Sequence, residues 1–228
     1  MGAAPEVDLF GWRPAAVVFD CDGLLVDTEP CWSVAEAELF ARRGLPFGIE
    51  EKALVIGKSL PGAAAVLVEV FDEPGREVEI AEELLTLVGE VVAAEAEAKP
   101  GAGALVELVA AAGLPFGVAS NSPRALLETA LRRGGFAGAF PYSVAADEVE
   151  HPKPAPDMYR LACAALGVAP ADTLAFEDSL TGLAAAQAAG VRVVGVPTLR
   201  GQAFPADHVV ASLLDTDLVT WVRDWKSD

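Results

Sequence analysis

The sequence predicts an α/β protein, a parallel-sheet core interrupted by an all-helical insert, on three observations. Short apolar runs at 15–20, 114–120, 173–178 and 191–196 have the length and composition of strands buried on both faces. Segments with apolar residues at helical spacing separate these runs, and alternating strands and helices wind into a parallel sheet with helices on both faces. From about residue 30 to residue 98 the alternation stops and only helical patterning is found, so that stretch is an insert.

Each element follows from its residues. AAVVFD (15–20) is a buried strand that delivers Asp20 at its C-terminal end. Residues 32–43 place Trp32, Ala35, Leu39 and Phe40 at helical spacing, with Gly44 as the C-cap. Residues 78–92 put Ile80, Leu84, Leu87, Val88 and Val91 on one helix face. Lys99-Pro100-Gly101 ends the insert. LPFGVAS (114–120) is a strand, Arg124 to Arg133 a helix and Tyr142 to Ala145 a short strand. A helix from Asp157 to Leu166 stops at Gly167, and TLAFED (173–178) is a strand. A helix from Leu180 to Ala189 stops at Gly190, and VRVVGV (191–196) is the next strand. A last amphipathic helix carries Leu214, Leu218, Trp221, Val222 and Trp225, and residues 1–14, with Trp12, form a leader beside the core.

Composition narrows the function. With 53% hydrophobic residues the chain folds rather than staying disordered. A net charge of −18 repels nucleic-acid phosphates and anionic lipid, so the expected partner is a small molecule, with no nucleic acid and no membrane. No apolar run reaches a membrane span and no basic-then-apolar leader opens the chain. Cys21, Cys31 and Cys163 form no CxxC pair, which disfavours structural zinc and fits a reducing compartment. The expectation is a cytoplasmic protein, monomeric or weakly homodimeric.

Three predicted strands end in chemically capable residues: Asp20 and Asp22, then Ser120 and Asn121, then Glu177 and Asp178. Lys153 lies between Pro152 and Pro154 in a stiff loop. Parallel strands end at one edge of the sheet, where ligands bind, so these groups are expected to share one site. Two carboxylates one residue apart repel each other unless a cation neutralises them, and oxygen ligands suit Mg²⁺, with Asp178 completing the set. In such a site Asp20 can attack phosphorus, while Asp22 protonates the leaving alcohol and then takes a proton from water. Ser120 can donate to a phosphate oxygen, and Lys153 supplies fixed positive charge. The same residues also have plainer readings, Asp20 and Asp22 as turn formers and Ser120, Asn121, Glu177 and Asp178 as helix-start residues.

Four segments carry a family resemblance. FDCDGLLVDTE (19–29), SNS (120–122), the Lys of HPKPAPDMY (151–159) and FEDSLTGLAAAQAAGV (176–191) resemble, in order, the four signatures of the haloacid dehalogenase superfamily. The resemblance covers essentially the whole chain. It implies a Rossmann-like core of residues 1–29 and 99–228 with a helical cap domain at 30–98, joined by hinge strands at Asp27–Glu29 and Ala98–Gly101. It implies Asp20 as nucleophile and metal ligand, Asp22 as acid and base with its backbone carbonyl on the metal, and Asp178 as a Mg²⁺ ligand. Glu177 becomes a ligand or a neighbour of the metal, and Ser120, Asn121 and Lys153 hold the phosphoryl group. Lys58, between Gly57 and Ser59, falls where the family carries a substrate-specificity loop. An acid at position 22 favours phosphoryl chemistry over dehalogenation, because a halide leaves without a proton. The Glu177-Asp178 pair is similar to the branch of β-phosphoglucomutase and the sugar-phosphate phosphatases, and Trp32 stands where the mutase carries His. The implied activity is Mg²⁺-dependent hydrolysis of small phosphomonoesters, with a hexose phosphomutase and a non-catalytic phospho-ligand module as alternatives.

Overall fold

Strand β1 (Ala16–Phe19) is four fully buried residues, which places it at the centre of a sheet rather than at an edge. In the computed structural model, which describes residues 11–198, 201 and 203–226, it lies between β4 (Phe116–Ala119) and β6 (Thr173–Glu177). Both pairings are parallel, with Val18 opposite Gly117 on one side and Ala175 on the other. The six-stranded order is β5-β4-β1-β6-β7-β8, with β5 (Tyr142–Val144), β7 (Arg192–Gly195) and β8 (His208–Val209) added by parallel pairing. The fold is thus the expected parallel α/β sheet. The three strands expected to end in functional residues are immediate neighbours.

Successive side chains of a strand point to opposite faces, and the two faces carry different cores. On one face Val18, Ala119 and Ala175 meet Met158, Tyr159 and Ala162 of α7 (Asp157–Leu166) and Leu183 and Ala186 of α8 (Leu180–Ala189). On the other face Phe19 stacks on Phe176 at 5.2 Å, and Phe140 meets Phe19 and Phe116 edge to face. Helices α5 (Ala102–Ala111), α6 (Arg124–Arg133) and α9 (Thr216–Arg223) complete this unit.

The helix bounds Arg124–Arg133, Asp157–Leu166 and Leu180–Ala189 coincide with those read from the sequence. The last helix is shorter than expected. Asp215 caps it, accepting from Asp217 N and Leu218 N, so Leu214 lies outside and is exposed. Trp225 lies beyond its other end yet is buried. Strand β8 escaped the sequence reading because two residues leave no periodicity to detect. Of the leader, residues 1–10 lie outside the described set. Within the described part the Trp12 carbonyl accepts from Trp221 Nε1, and the Arg192 guanidinium sits 4.3 Å from the Trp12 ring centroid.

The chain divides into two compact units, one running to Val26 and again from Ala98, the other Asp27–Glu97. The two passages between them are β2 (Val26–Asp27) and β3 (Glu97–Ala98), which pair with each other. These strands are displaced from the expected 27–29 and 98–101. Pro30 starts α1 (Glu29–Ala41) at Glu29, and Gly101, at φ 90°, already caps α5.

The second unit holds α1, α2 (Ile49–Val55), α3 (Leu60–Phe71) and α4 (Glu77–Glu95). Its core includes Ala35, Leu39, Phe40, Leu67, Ile80, Leu84 and Val88, and Phe40 packs against Phe47 and Phe71. Helix α1 ends at Ala41, and Gly44 supplies the left-handed residue of the following turn. Lys58 is exposed in the loop before α3, whose N-cap is Ser59.

Candidate active site

The turn after β1 sets the geometry. Gly23 adopts φ 83° and donates to Val26 O, while Val26 N donates to Cys21 O, so the chain doubles back and Asp20 and Asp22 stay at the strand end. A Cβ on Gly23 would lie 2.2 Å from Asp178 Oδ2, so the absent side chain is what lets Asp178 approach. The Cys21 thiol is buried and pushed up by burial, then by Asp22 and Asp20, which leaves it inert as a nucleophile.

Lys153 lies between the carboxylates of Asp20 and Glu177, its Nζ 2.6 Å from Asp20 Oδ1 and 2.6 Å from Glu177 Oε1. All three are buried. Tyr159 OH donates to the same Glu177 Oε1 at 2.5 Å, and Lys153 Nζ stands 5.1 Å from the centroid of that ring. Asn121 ties this loop down at both ends of its amide: Nδ2 donates to Lys153 O and Oδ1 accepts from Lys153 N. Its side chain therefore holds the backbone that carries the lysine. A Cβ on Gly182 would lie 2.0 Å from the Glu177 carboxylate, so the first turn of α8 must be bare there.

Asp22 is held separately. Its Oδ2 accepts from Ser120 Oγ at 2.8 Å and from Ser122 Oγ at 2.9 Å, and its buried Oδ1 has no hydrogen-bond partner among the described residues. Ser120 Oγ, expected to face a phosphate oxygen, donates here to Asp22 and accepts from Ser122 N. Asp178 Oδ2 accepts from Thr198 Oγ1 at 2.6 Å.

The electrostatics are unbalanced. Four carboxylates, Asp20, Asp22, Glu177 and Asp178, share this edge, and Lys153 is the cation hydrogen-bonded among them. Burial raises the Asp20 carboxyl well above its usual range; Lys153 opposes this, and Glu177, Asp178 and Asp22 reinforce it. Burial, then the Glu177 charge, pushes Asp178 up to about 7, against the Thr198 hydrogen bond. Burial alone would lower Lys153, but Asp20 and Glu177 more than offset it and hold the ammonium charged.

Oxygens of Asp20, Glu177 and Asp178 lie within 4.8 Å of one another, an all-oxygen donor set that fits a hard divalent cation. Glu177 Oε1 is engaged by Lys153 and Tyr159, and its Oε2 accepts a longer hydrogen bond from Ser179 Oγ at 3.5 Å, so Oε2 is the less committed of the two oxygens. The Asp22 side chain stands outside this group.

Seven of the eight residues singled out from the sequence are thus placed at the ends of β1, β4 and β6 and in the Lys153 loop, and Lys58 lies in the other unit. Sequence reasoning missed Ser122, Tyr159 and Thr198. The first two lie inside quoted motifs. Thr198 follows β7, the strand next to β6, so the strand-end argument applied once more would have found it.

The comparisons agree with this geometry. A family model described as haloacid dehalogenase-like hydrolase matches residues 14–190. The chain is 32% identical over 219 residues to the bifunctional riboflavin kinase/FMN phosphatase of Arabidopsis thaliana, covering 92% of this chain but only 58% of that protein. It is 30% identical to hexitol phosphatase B of Escherichia coli strain K12, covering 88% of this chain and 93% of that one. CbbY of Rhodobacter sphaeroides, solved as a mutant with xylulose-(1,5)-bisphosphate, superposes with a TM-score of 0.74 at 28% identity, covering 88% and 95% of the two chains. The match over most of the length, together with the paired aspartates and the buried lysine, places this chain in the haloacid dehalogenase-like hydrolase family.

Proposed function

We propose that the protein hydrolyses small phosphomonoesters, sugar phosphates foremost, through a phosphorylated Asp20. The observation that carries this is the division of labour between the two aspartates. Asp20 is fixed beside the Lys153 ammonium, and Asp22, two residues on, is held by hydroxyls with one oxygen left without a partner among the described residues. A nucleophile needs positioning and charge compensation, and an acid needs a free oxygen to carry a proton. Mg²⁺ held by Asp20 and Asp178, with Glu177 beside them, would supply the positive charge that lets a carboxylate approach a phosphate dianion.

In the first half-reaction an Asp20 oxygen bonds to phosphorus, the ester P–O bond breaks, and the departing oxygen takes a proton from Asp22. In the second, water attacks the phosphoryl group and gives its proton to Asp22, and the P–O bond to Asp20 breaks. Lys153 stays charged throughout beside the carboxylate that is being esterified and released. Ser120 turns its hydroxyl to a phosphoryl oxygen. The sugar-phosphate class draws on the names and ligand of the relatives. Asp27–Glu97 serves as the cap, with Lys58 as a substrate contact. Among the described residues no helix is long and apolar enough to cross a membrane, and the three cysteines are buried; the reading keeps the expectation of a cytoplasmic monomer or weak homodimer.

The test is phosphate release from a panel of hexose, pentose and hexitol phosphates with Mg²⁺, comparing the native protein with Asp20→Asn. Release from a few members, reduced at least ~10³-fold by the substitution, is expected. Conversion of β-glucose 1-phosphate to glucose 6-phosphate with a bisphosphate primer, without net phosphate release, would replace hydrolysis by the mutase reading. Mg²⁺ binding with no turnover would leave a ligand-binding module.

A further inference from the structure

Two hydroxyls converge on one oxygen of Asp22. Ser120 Oγ and Ser122 Oγ both donate to Oδ2, at 2.8 and 2.9 Å, and the other oxygen, Oδ1, is buried without a partner among the described residues. The two serines are not equivalent. Ser120 Oγ has several demands on it, because it also accepts from Ser122 N and, in the proposed reaction, must turn to a phosphoryl oxygen. A hydroxyl has one proton to donate, so Ser120 cannot hold Asp22 and bind phosphate at the same moment. Ser122 Oγ has Asp22 as its described acceptor, and Ser122 is buried. Its own backbone is anchored, with its carbonyl accepting from Ala146 N.

We infer that Ser122 is a positioning residue that holds the Asp22 carboxylate by Oδ2 while Ser120 engages the phosphoryl group, so that Oδ1 is the oxygen facing the leaving group. This rests on the phosphatase reading above. A carboxylate rotates about its last bond, and a donor fixed on one oxygen removes that freedom. The proton transferred to the leaving oxygen then resides on Oδ1, the oxygen that no donor among the described residues occupies. When the ester bond breaks, the electron pair stays on the leaving oxygen, the Oδ1 proton moves to it, and Asp22 is left as a carboxylate still gripped at Oδ2. Removing Ser122 leaves the acid in place but badly aimed.

The experiment compares two substrates and four variants, one of them a double substitution. A sugar phosphate needs its alkoxide protonated, whereas para-nitrophenyl phosphate releases a phenolate that leaves without help. Ser122→Ala is expected to lower kcat about 10- to 100-fold on the best sugar phosphate of the panel and less than about threefold on para-nitrophenyl phosphate, because only the former draws on general-acid catalysis. Ser122→Thr, which keeps the hydroxyl, should restore most of the loss. Asp22→Asn should show the same substrate pattern more strongly, and adding Ser122→Ala to it should cost nothing further, the sign that both act through one group. Equal losses on the two substrates, no loss on the sugar phosphate, or additive losses in the double variant would each overturn the inference. If the native protein turns over neither substrate, it is the phosphatase reading that fails, before any variant is compared.

Discussion

Two ion networks in this molecule are built from the same chemistry with opposite balance. In the helical unit Arg42, Arg43 and Arg76 meet Glu38, Glu73 and Glu83, three cations against three anions, near the surface. There burial pushes the Glu83 carboxyl up, but Arg43 and Arg42 more than offset it and hold it below its usual range. At the edge of the sheet, among the described residues, four carboxylates face one lysine, and the carboxyls of Asp20 and Asp178 are held above their usual range instead. A matched network is finished as it stands. An unmatched, buried one carries a standing deficit of positive charge, and that deficit is what a divalent cation can fill.

Four substitutions or titrations would break or sharpen this contrast. The largest effect is expected from Lys153→Met, which leaves Asp20 and Glu177 buried without their cation; by analogy with broken buried pairs it should cost about 3–5 kcal/mol in urea unfolding and abolish turnover. A smaller loss would mean that water reaches the pair. Next comes Gly182→Ala. Its methyl would sit 2.0 Å from the Glu177 carboxylate, which Lys153 and Tyr159 pin in place, so about 1–3 kcal/mol of overpacking cost is expected together with a fall in kcat. Unchanged stability and turnover would show that Glu177 is free to move.

The third is a pH effect. Asp178 titrates at about 7 without metal, so Mg²⁺ must displace a proton below that pH. Calorimetric affinity should rise at least about tenfold per unit below roughly pH 7, because the Asp178 proton, and any proton that Asp20 holds, must leave first. Stability of the metal-free protein runs the other way. The folded Asp178 binds its proton more tightly than the ordinary carboxyl at 3.8, so resistance to urea should fall as pH rises from about 4 to about 7. Mg²⁺ added at pH 8 should restore it. A flat affinity profile would mean that the carboxylates are already ionised. The smallest effect is Arg42→Ala. Arg42 is an exposed member of the matched network, and its loss should leave the melting temperature where it is.

Much of this was legible in the sequence, for physical reasons that differ by element. Helices with bounded apolar faces and a terminal glycine, such as Asp157–Leu166 before Gly167, could be read to the residue because periodicity and cap agree. Asp20, Ser120 and Glu177 could be assigned to one edge because parallel strands end together, whatever their separation in the chain. What could not be read is which donor takes which oxygen. Ser120 belongs to a recognisable motif, yet its contact with Asp22 spans 98 residues and leaves no local trace. The same holds for Thr198 with Asp178. Tyr159 reads as an ordinary core aromatic at helical spacing until its hydroxyl is seen against Glu177.

The pairing of Asp20 with Lys153 joins residues 133 apart in the chain. During synthesis the aspartate emerges first, and at about 5–20 residues per second its counter-ion follows only roughly ten seconds later. Strands β4 and β6, which flank Asp20 in the finished sheet, are likewise made long after it. The helices of Asp27–Glu97 have the partners within their own compact unit in reach well before that moment. A growing chain can therefore assemble its helical unit while Asp20 is still an ordinary hydrated acid. Strands β4 and β6 and the Lys153 loop, all translated later, give Asp20 its dry surroundings and its ammonium partner.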